Sequence, residues 1–293
     1  MVKRMVIYHG GCADGFCAAW LFHKEYPDAE YLPAVYGDEA PDVTRKIVYI
    51  VDFSYPRDVL LRMYDQAELL VVLDHHKTAQ ADLEGLAFCK FDMEKSGGRL
   101  AWEYLCDQFT DFWSQWTDRA MPPWLVNYTE DRDLWRWELP DSRAINANLR
   151  SYPMDFETWD KFSEHDIDLF AMAGESILRD QALTVRAKVE QSHVVTVPTE
   201  TEWPRWRVAN ATTLVSETAG ELAKETMVGC CWFELPDGAR VYSLRTCPES
   251  NVDCSRIAKR FGGGGHQGAA GFKLESGAPH PWGSKLTTES GEG

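Results

Sequence analysis

Three apolar runs and one helical stretch in this chain end in residues of the types that bind divalent cations. The run at 6–8 leads into Tyr8-His9-Gly10-Gly11-Cys12-Ala13-Asp14-Gly15, and the run at 46–50 into Val51-Asp52. The run at 69–73 leads into Asp74-His75-His76, and a helical stretch near 124–129 into Glu130-Asp131-Arg132-Asp133. Singly, each has a plain structural use: Asp14 could cap a helix, Asp52 could open a loop, and His75 and His76 could lie on the surface. Together His9, Asp14, Asp52, Asp74, His75 and Asp131 would make a mixed imidazole and carboxylate cluster. Such ligands suit Mn2+, with Mg2+ or Co2+ as alternatives, and several carboxylates suit two ions. A phosphodiester repels hydroxide by its own charge. Two ions about 4 Å apart neutralise it, acidify a bridging water and stabilise the leaving oxygen. Asp52, at the end of a central strand, suits the place between the ions.

A second polar segment lies far downstream. Gly262, Gly263, Gly264 and Gly265 are followed by His266 and then by a strand pattern, so successive backbone N–H groups could approach an anion, with His266 as a further donor. Arg245, at the end of its own strand, could make a bidentate contact with the same phosphate or instead form a surface ion pair. Ser96-Gly97-Gly98, before a helix, offers a weaker N-terminal anion site. No GxxxxGK[ST], HExxH or GxSxG occurs, which removes the P-loop, zincin and serine hydrolase readings.

The elements that must hold these residues follow from periodicity. Residues 6–8, 46–52, 69–73 and 86–91 read as strands alternating with helices at 15–25, 57–65, 98–106 and 124–129. This is the pattern of a mostly parallel sheet covered by helices, in which ligands gather beyond the carboxyl ends of the strands. Residues 156–191 read as helix, with Ile177, Leu178, Leu183 and Val185 on one face. Strands then follow at 193–197, 207–209, 228–234 and 240–245, with helices at 217–224 and 252–261. The expected fold class is therefore α/β: a mostly parallel N-terminal domain at 1–150, a helical connector at 151–192 and a smaller α/β domain at 193–275. Residues 276–293 read as a flexible tail.

Lys and Arg number 30 against 46 Asp and Glu, a net charge of -16, so no binding of long duplex DNA through a basic surface is expected. No apolar stretch reaches the roughly 20 residues of a membrane span, and the basic start does not run into a secretory apolar segment, so the expected compartment is the cytoplasm. The eight cysteines contain no CxxC pair and read as reduced, buried thiols. Trp113, Trp116, Trp124, Trp135 and Trp137 could stack bases, although the core is the commoner place for them. A homodimer is compatible with the sequence.

Leu73-Asp74-His75-His76-Lys77 resembles the motif that names the DHH phosphoesterases. The segment Phe261-Gly262-Gly263-Gly264-Gly265-His266-Gln267-Gly268-Ala269-Ala270-Gly271-Phe272 resembles the signature of their C-terminal DHHA1 domain. The resemblance implies that His9, Asp14, Asp52, His75 and Asp131 bind metal, with Asp52 bridging and Asp74 a ligand or a group coupled to one. His76 would touch the scissile phosphate or protonate the leaving oxygen. Arg245, Gly262, Gly263, Gly264, Gly265 and His266 would hold the substrate. Many members of that family carry two aspartates in the first motif. Here Asp14 stands alone, Cys12 reads as a structural thiol with metal binding as its alternative, and Asp133 replaces Asp131 if the fourth motif is shifted. The implied function is a Mn-dependent phosphodiesterase of the oligoribonuclease-like branch, cleaving short oligonucleotides or small cyclic or linear nucleotides by attack of a metal-bridging hydroxide. An exopolyphosphatase, a processive single-strand exonuclease with a groove around Arg99, Arg132 and Arg136, and a catalytically weak binding relative are the alternatives.

Overall fold

The computed structural model describes residues 2–109, 121–198, 202–247 and 249–283. The chain divides into two compact units, Met1–Leu178 and Arg179–Gly293.

In the first unit, β1 (Arg4–His9), β2 (Glu30–Ala34), β3 (Ile47–Val51), β4 (Leu69–Asp74) and β5 (Cys89–Phe91) form one sheet in the order β2-β1-β3-β4-β5, every pair parallel. A parallel sheet is covered on both faces, and β3 and β4 are accordingly apolar along nearly their whole length. Alternate residues serve two cores. Val6, Tyr49, Val51, Val71 and Leu73 face the cluster around α1 (Ala13–Glu25), α4 (Gly97–Gln108) and α5 (Trp124–Asp133). Met5, Ile7, Val48, Ile50, Leu70 and Val72 face Leu60 and Met63 of α2 (Arg57–Gln66). Because β1 lies between β2 and β3, the chain leaves it in opposite directions. The strand order reverses there, which is where open α/β sheets bind ligands.

Two elements escape the sequence pattern. β2, with Pro33 and Glu30, lies at the sheet edge, where a missing N–H is tolerated. α3 (Lys77–Asp82) buries none of its residues. The expected connector also differs. Trp159 and Phe162 of α7 (Phe156–Ser163) and Phe170 of α8 (Ile167–Glu190) join the same core as Phe16 and Trp20, so residues 151–178 belong to the first unit. Trp20 Nε1–H donates to Asp160 Oδ1 at 2.7 Å, tying α1 to α7.

The second unit is built on the sheet order β10-β11-β9-β8-β7-β6, from β6 (His193–Thr196), β7 (Arg205–Asn210), β8 (Val228–Glu234), β9 (Arg240–Thr246), β10 (Gly264–Gly265) and β11 (Ala269–Leu274). β7 and β8 pair in parallel, and the other neighbouring strands named here pair antiparallel. Residues 276–283, expected within a flexible tail, pack on this sheet: Trp282 joins its core, Tyr242 Oη lies 2.8 Å from His280 Nδ1, and Arg240 donates to the Ala278 carbonyl at 2.6 Å. Trp282 supplies the apolar anchor that composition hides.

Candidate metal centre

Strand register lines up the ligand-type residues. Tyr8 pairs with Val51 and Val51 with Leu73, so the next residues, His9, Asp52 and Asp74, sit side by side at the carboxyl edge. Asp52 has φ +55, a left-handed conformation that aspartate tolerates better than most residues. Two glycines allow the close approach of the helices. A Cβ on Gly15 would lie 2.5 Å from the His9 carbonyl, and one on Gly97 would collide with the Asp52 Cβ while lying 3.0 Å from Asp14 Oδ2.

Asp14 does not cap its own helix, whose N-cap is Cys12. It is 1 % exposed and accepts from the N–H groups of Gly97 at 2.5 Å and Gly98 at 3.0 Å. The anion site expected at Ser96-Gly97-Gly98 is thus filled by the chain's own carboxylate, while Ser96 Oγ caps α4 by accepting from Arg99 N–H. Burial, followed by the charges of Asp52 and Asp133, pushes the Asp14 carboxyl well above the usual range.

His75, 1 % exposed, is ringed by acids. Its Nε2 lies 3.0 Å from Asp52 Oδ1, 3.5 Å from Asp133 Oδ2 and 3.7 Å from Asp14 Oδ2. Burial alone would lower its pKa, but the hydrogen bond to Asp52 and the charges of Asp133, Asp52 and Asp14 push it up to about 10. Burial would likewise raise Asp52, and the hydrogen bond with His75 and the nearby His9 and His76 rings hold it below the usual carboxylate range instead. The other Asp52 oxygen, Oδ2, lies 3.5 Å from His9 Nδ1. Both of those atoms are buried without a hydrogen-bond partner, as ligand atoms awaiting a cation would be.

Asp74, fully buried, is occupied on both oxygens. Oδ1 accepts from the N–H groups of His75 and His76 and, at 2.7 Å, from His76 Nδ1; Oδ2 accepts from Ser54 Oγ at 2.5 Å. Asp74 therefore fixes the turn and the His76 ring. Burial would depress His76, but the Asp74 charge raises its pKa.

Asp131 and Asp133, the two candidates of the fourth motif, have different surroundings. Asp131 Oδ1 accepts from Glu138 N–H at 2.8 Å and its carbonyl from Arg136 N–H at 2.8 Å, which shapes the loop after α5, while its Oδ2 is buried without a hydrogen-bond partner. Residues two apart on a helix point to opposite sides, and Asp133 is the one beside His75. Glu130 is held by Arg99 at 2.9 Å, which takes Arg99 out of a free basic groove; Arg136 donates to the Glu94 carbonyl.

Three sets of side chains in this unit bring one ligand atom each within 4.8 Å of the others: His9, Cys12 and Asp52; Asp14, His75 and Asp133; Asp52, Asp74 and His76. Sequence reasoning passed over Ser54, Gly97 as a contact of Asp52, and Tyr36. Tyr36 is 56 % exposed, and its ring centre lies 5.7 Å from that of His9 and 6.1 Å from that of His76. No local pattern marks Tyr36, which follows the edge strand the periodicity misses.

In the second unit, the glycine run has a different use from the one expected. The N–H groups of Gly262, Gly263 and His266 donate to the carbonyls of Lys259, Ala258 and Ala269, while Gly264 and Gly265 pair with Gly271 and Ala270. A Cβ on Gly263 would collide with the Gly271 carbonyl, and Gly265 has φ +138. The glycines thus permit a tight hairpin against β11, and the N–H cradle expected for an anion is spent internally at Gly262, Gly263 and His266. Arg245 donates to Ser216 Oγ at 2.6 Å and to the Leu244 carbonyl. Trp113 and Trp116 lie outside the described residues. Trp124 packs on Phe170, and Trp135 meets Trp137 edge to face at 5.0 Å.

No family model matches the chain. A curated relative, Uncharacterized protein R106 of Acanthamoeba polyphaga mimivirus, is 28% identical over 295 residues; the match covers 92% of this chain and 66% of the relative, so the chain spans just under two thirds of that protein. An exopolyphosphatase-related protein from Bacteroides fragilis matches in structure with a TM-score of 0.55 and 15% identity, covering 94% of this chain and 88% of that one. The pGpG-specific phosphodiesterase PggH from Vibrio cholerae matches with a TM-score of 0.49 and 12% identity over 93% of each chain. The Bacteroides match shows a shared fold. Among the described residues, no helix is long and apolar enough to cross a membrane.

Proposed function

We propose that the chain, which shares its fold with the Bacteroides exopolyphosphatase-related protein and carries motifs resembling those of the DHH/DHHA1 phosphoesterases, is a divalent-metal-dependent phosphoesterase acting on short oligonucleotides or small nucleotides. The observation that carries this reading is the division of Asp52 between two sets of ligands: Oδ1 faces His75, and Oδ2 faces His9. One ion would be held by His9 and Asp52, the other by Asp14, His75, Asp133 and Asp52. The unpartnered, buried Asp52 Oδ2 and His9 Nδ1 fit that assignment. Such ions supply charge neutralisation at a phosphodiester and acidify water.

The remaining work falls to the chain. Asp74 accepts the His76 Nδ1 proton, which leaves Nε2 as the ring atom that can face substrate. The Asp74 charge, which raises the pKa of His76, favours the protonated ring that donation to a leaving oxygen needs. Tyr36, exposed beside His9 and His76, offers an aromatic face to a base or sugar. Arg245 and His266 are assigned to a substrate phosphate rather than to the ions.

The test is a panel of linear dinucleotide, cyclic nucleotide and polyphosphate incubated with the Mn2+-loaded protein and with a chelated control. Hydrolysis of the dinucleotide, abolished by chelation, is the expected result. Cleavage of polyphosphate alone would make an exopolyphosphatase the better description, and tight binding without turnover would reduce the chain to a binding relative.

A further inference from the structure

Cys12 is placed as no structural thiol need be. Five other cysteines, Cys17, Cys106, Cys230, Cys231 and Cys254, are buried, and all five lie in apolar clusters. Cys12 is half-buried and belongs to none of those clusters. It occupies the N-cap of α1, a position that Ser, Thr, Asp or Asn fill best, and its sulfur faces the Gly15 N–H together with the carboxylates of Asp52, Asp133 and Asp14. Packing in an apolar cluster therefore does not account for its presence.

Its neighbours account for it. The ligand atoms of His9, Cys12 and Asp52 lie within 4.8 Å of one another. Of the same residues, His9 Nδ1 and Asp52 Oδ2 are buried with no hydrogen-bond partner, and Asp52 is 1 % exposed. Their separation is 3.5 Å. Two ligands with bonds of about 2.1 Å at tetrahedral angles around one ion would be about 3.4 Å apart. The same corner is thus sized for a small divalent ion before any rearrangement.

We propose that Cys12 is a metal ligand, so that His9, Cys12 and Asp52 form a mixed nitrogen, sulfur and oxygen site that selects a thiophilic divalent ion, zinc or cobalt, over magnesium at one position of the centre. The proposal rests on the metal-centre reading above and names the ion class that this part of the centre takes. Thiolate is a soft ligand that Mg2+ avoids and that Zn2+ and Co2+ accept. Three protein ligands also leave a fourth position open, the arrangement of catalytic rather than structural zinc.

The experiment is cobalt titration of the full chain, followed by optical spectroscopy and metal analysis. Thiolate bound to Co2+ gives a charge-transfer absorption in the near ultraviolet that imidazole and carboxylate ligands do not give. The wild type and Cys247→Ser are expected to show this band, and Cys12→Ser and Cys12→Ala to lack it while retaining the wild-type melting temperature and cobalt at the Asp14, His75 and Asp133 ligands. Loss of a direct ligand should cost the first position at least the roughly 10–100-fold in affinity that loss of a group behind a ligand costs. Cys12→Asp should bind cobalt without the band and shift its preference toward magnesium. Stoichiometric cobalt in the wild type without a thiolate band would overturn the role of Cys12 and leave the metal centre standing. Failure of the wild type to bind cobalt, manganese or zinc at all would overturn both.

Discussion

Adding one methyl group at Gly97 should disable the centre without unfolding the protein. Gly97 opens α4 directly against the Asp52 side chain, and its N–H donates to Asp14. In Gly97→Ala the new Cβ would collide with the Asp52 Cβ, lie 3.0 Å from the Asp52 Cα and lie 3.0 Å from Asp14 Oδ2. Either Asp52 or the first turn of α4 must give way by about 1 Å, and a displacement of that size can cost on the order of 100-fold in rate. In free energy that is about 2.7 kcal/mol of transition-state stabilisation. Overpacking of a buried site costs about 1–3 kcal/mol of stability, or roughly 2–12 °C in melting temperature for a domain of this size. The control is Gly85→Ala, where φ is +84 and nothing lies within 4 Å, so that only about 1–2 kcal/mol of backbone strain is introduced far from the site. The assay pairs thermal melting with metal content and kcat/KM on the best substrate of the panel. Gly97→Ala with unchanged metal content and kcat/KM would refute the argument that this glycine holds Asp14 and Asp52 in ligand geometry.

Four further outcomes follow from the same geometry. Asp133→Asn should lose metal and activity, whereas Asp131→Asn, which weakens a single hydrogen bond to the Glu138 N–H, should cost about 1 kcal/mol of stability and keep its metal; calorimetry and metal analysis of both variants separate the roles. With its pKa pushed up to about 10, His75 is protonated in the metal-free protein at pH 7 and must lose that proton to ligate, so metal affinity should rise by roughly tenfold per pH unit between pH 7 and 9; a flat profile would remove His75 from the ligands. In the metal-free protein the sign for stability is opposite: the favourable contribution of His75 is complete below its ordinary pKa of about 6.5 and is lost as pH rises through about 10, which pH-dependent melting reads. Finally, a net charge of -16 should make kcat/KM highest for substrates of roughly two to five nucleotides, with the penalty for longer strands shrinking in salt; a faster rate on a long single strand at low salt would favour a processive exonuclease.

The parallel sheet and the ligand-bearing ends of β1, β3 and β4 were legible because their apolar runs stop abruptly at His9, Asp52 and Asp74. Periodicity reports which residues are buried, and a buried run followed at once by a metal-type ligand is informative whatever packs around it. The choice between Asp131 and Asp133 was not legible, because it depends on the rotational phase of α5 where that helix ends. Asp14 illustrates a different limit. Gly97 and Gly98 read as a weak anion site, and only the fold shows that their N–H groups are taken by the Asp14 carboxyl, 83 positions earlier in the chain than Gly97. The run from Gly262 to Gly265 misled in the opposite direction, since a tight hairpin and a phosphate cradle both require glycine and differ only in where the N–H groups point. β2 escaped because its pairing is set by its edge position rather than by its own composition.

The central claim is that Asp52 joins two ions at the carboxyl edge of the sheet. Electron paramagnetic resonance of the protein titrated with Mn2+ tests it directly, because two manganese ions sharing a carboxylate couple magnetically. The wild type should pass to a broad, exchange-coupled signal as two equivalents bind, and Asp52→Asn should keep its fold but show only uncoupled manganese and lose turnover by orders of magnitude. Saturation at a single uncoupled ion in the wild type, or a coupled pair that survives Asp52→Asn, would contradict the account.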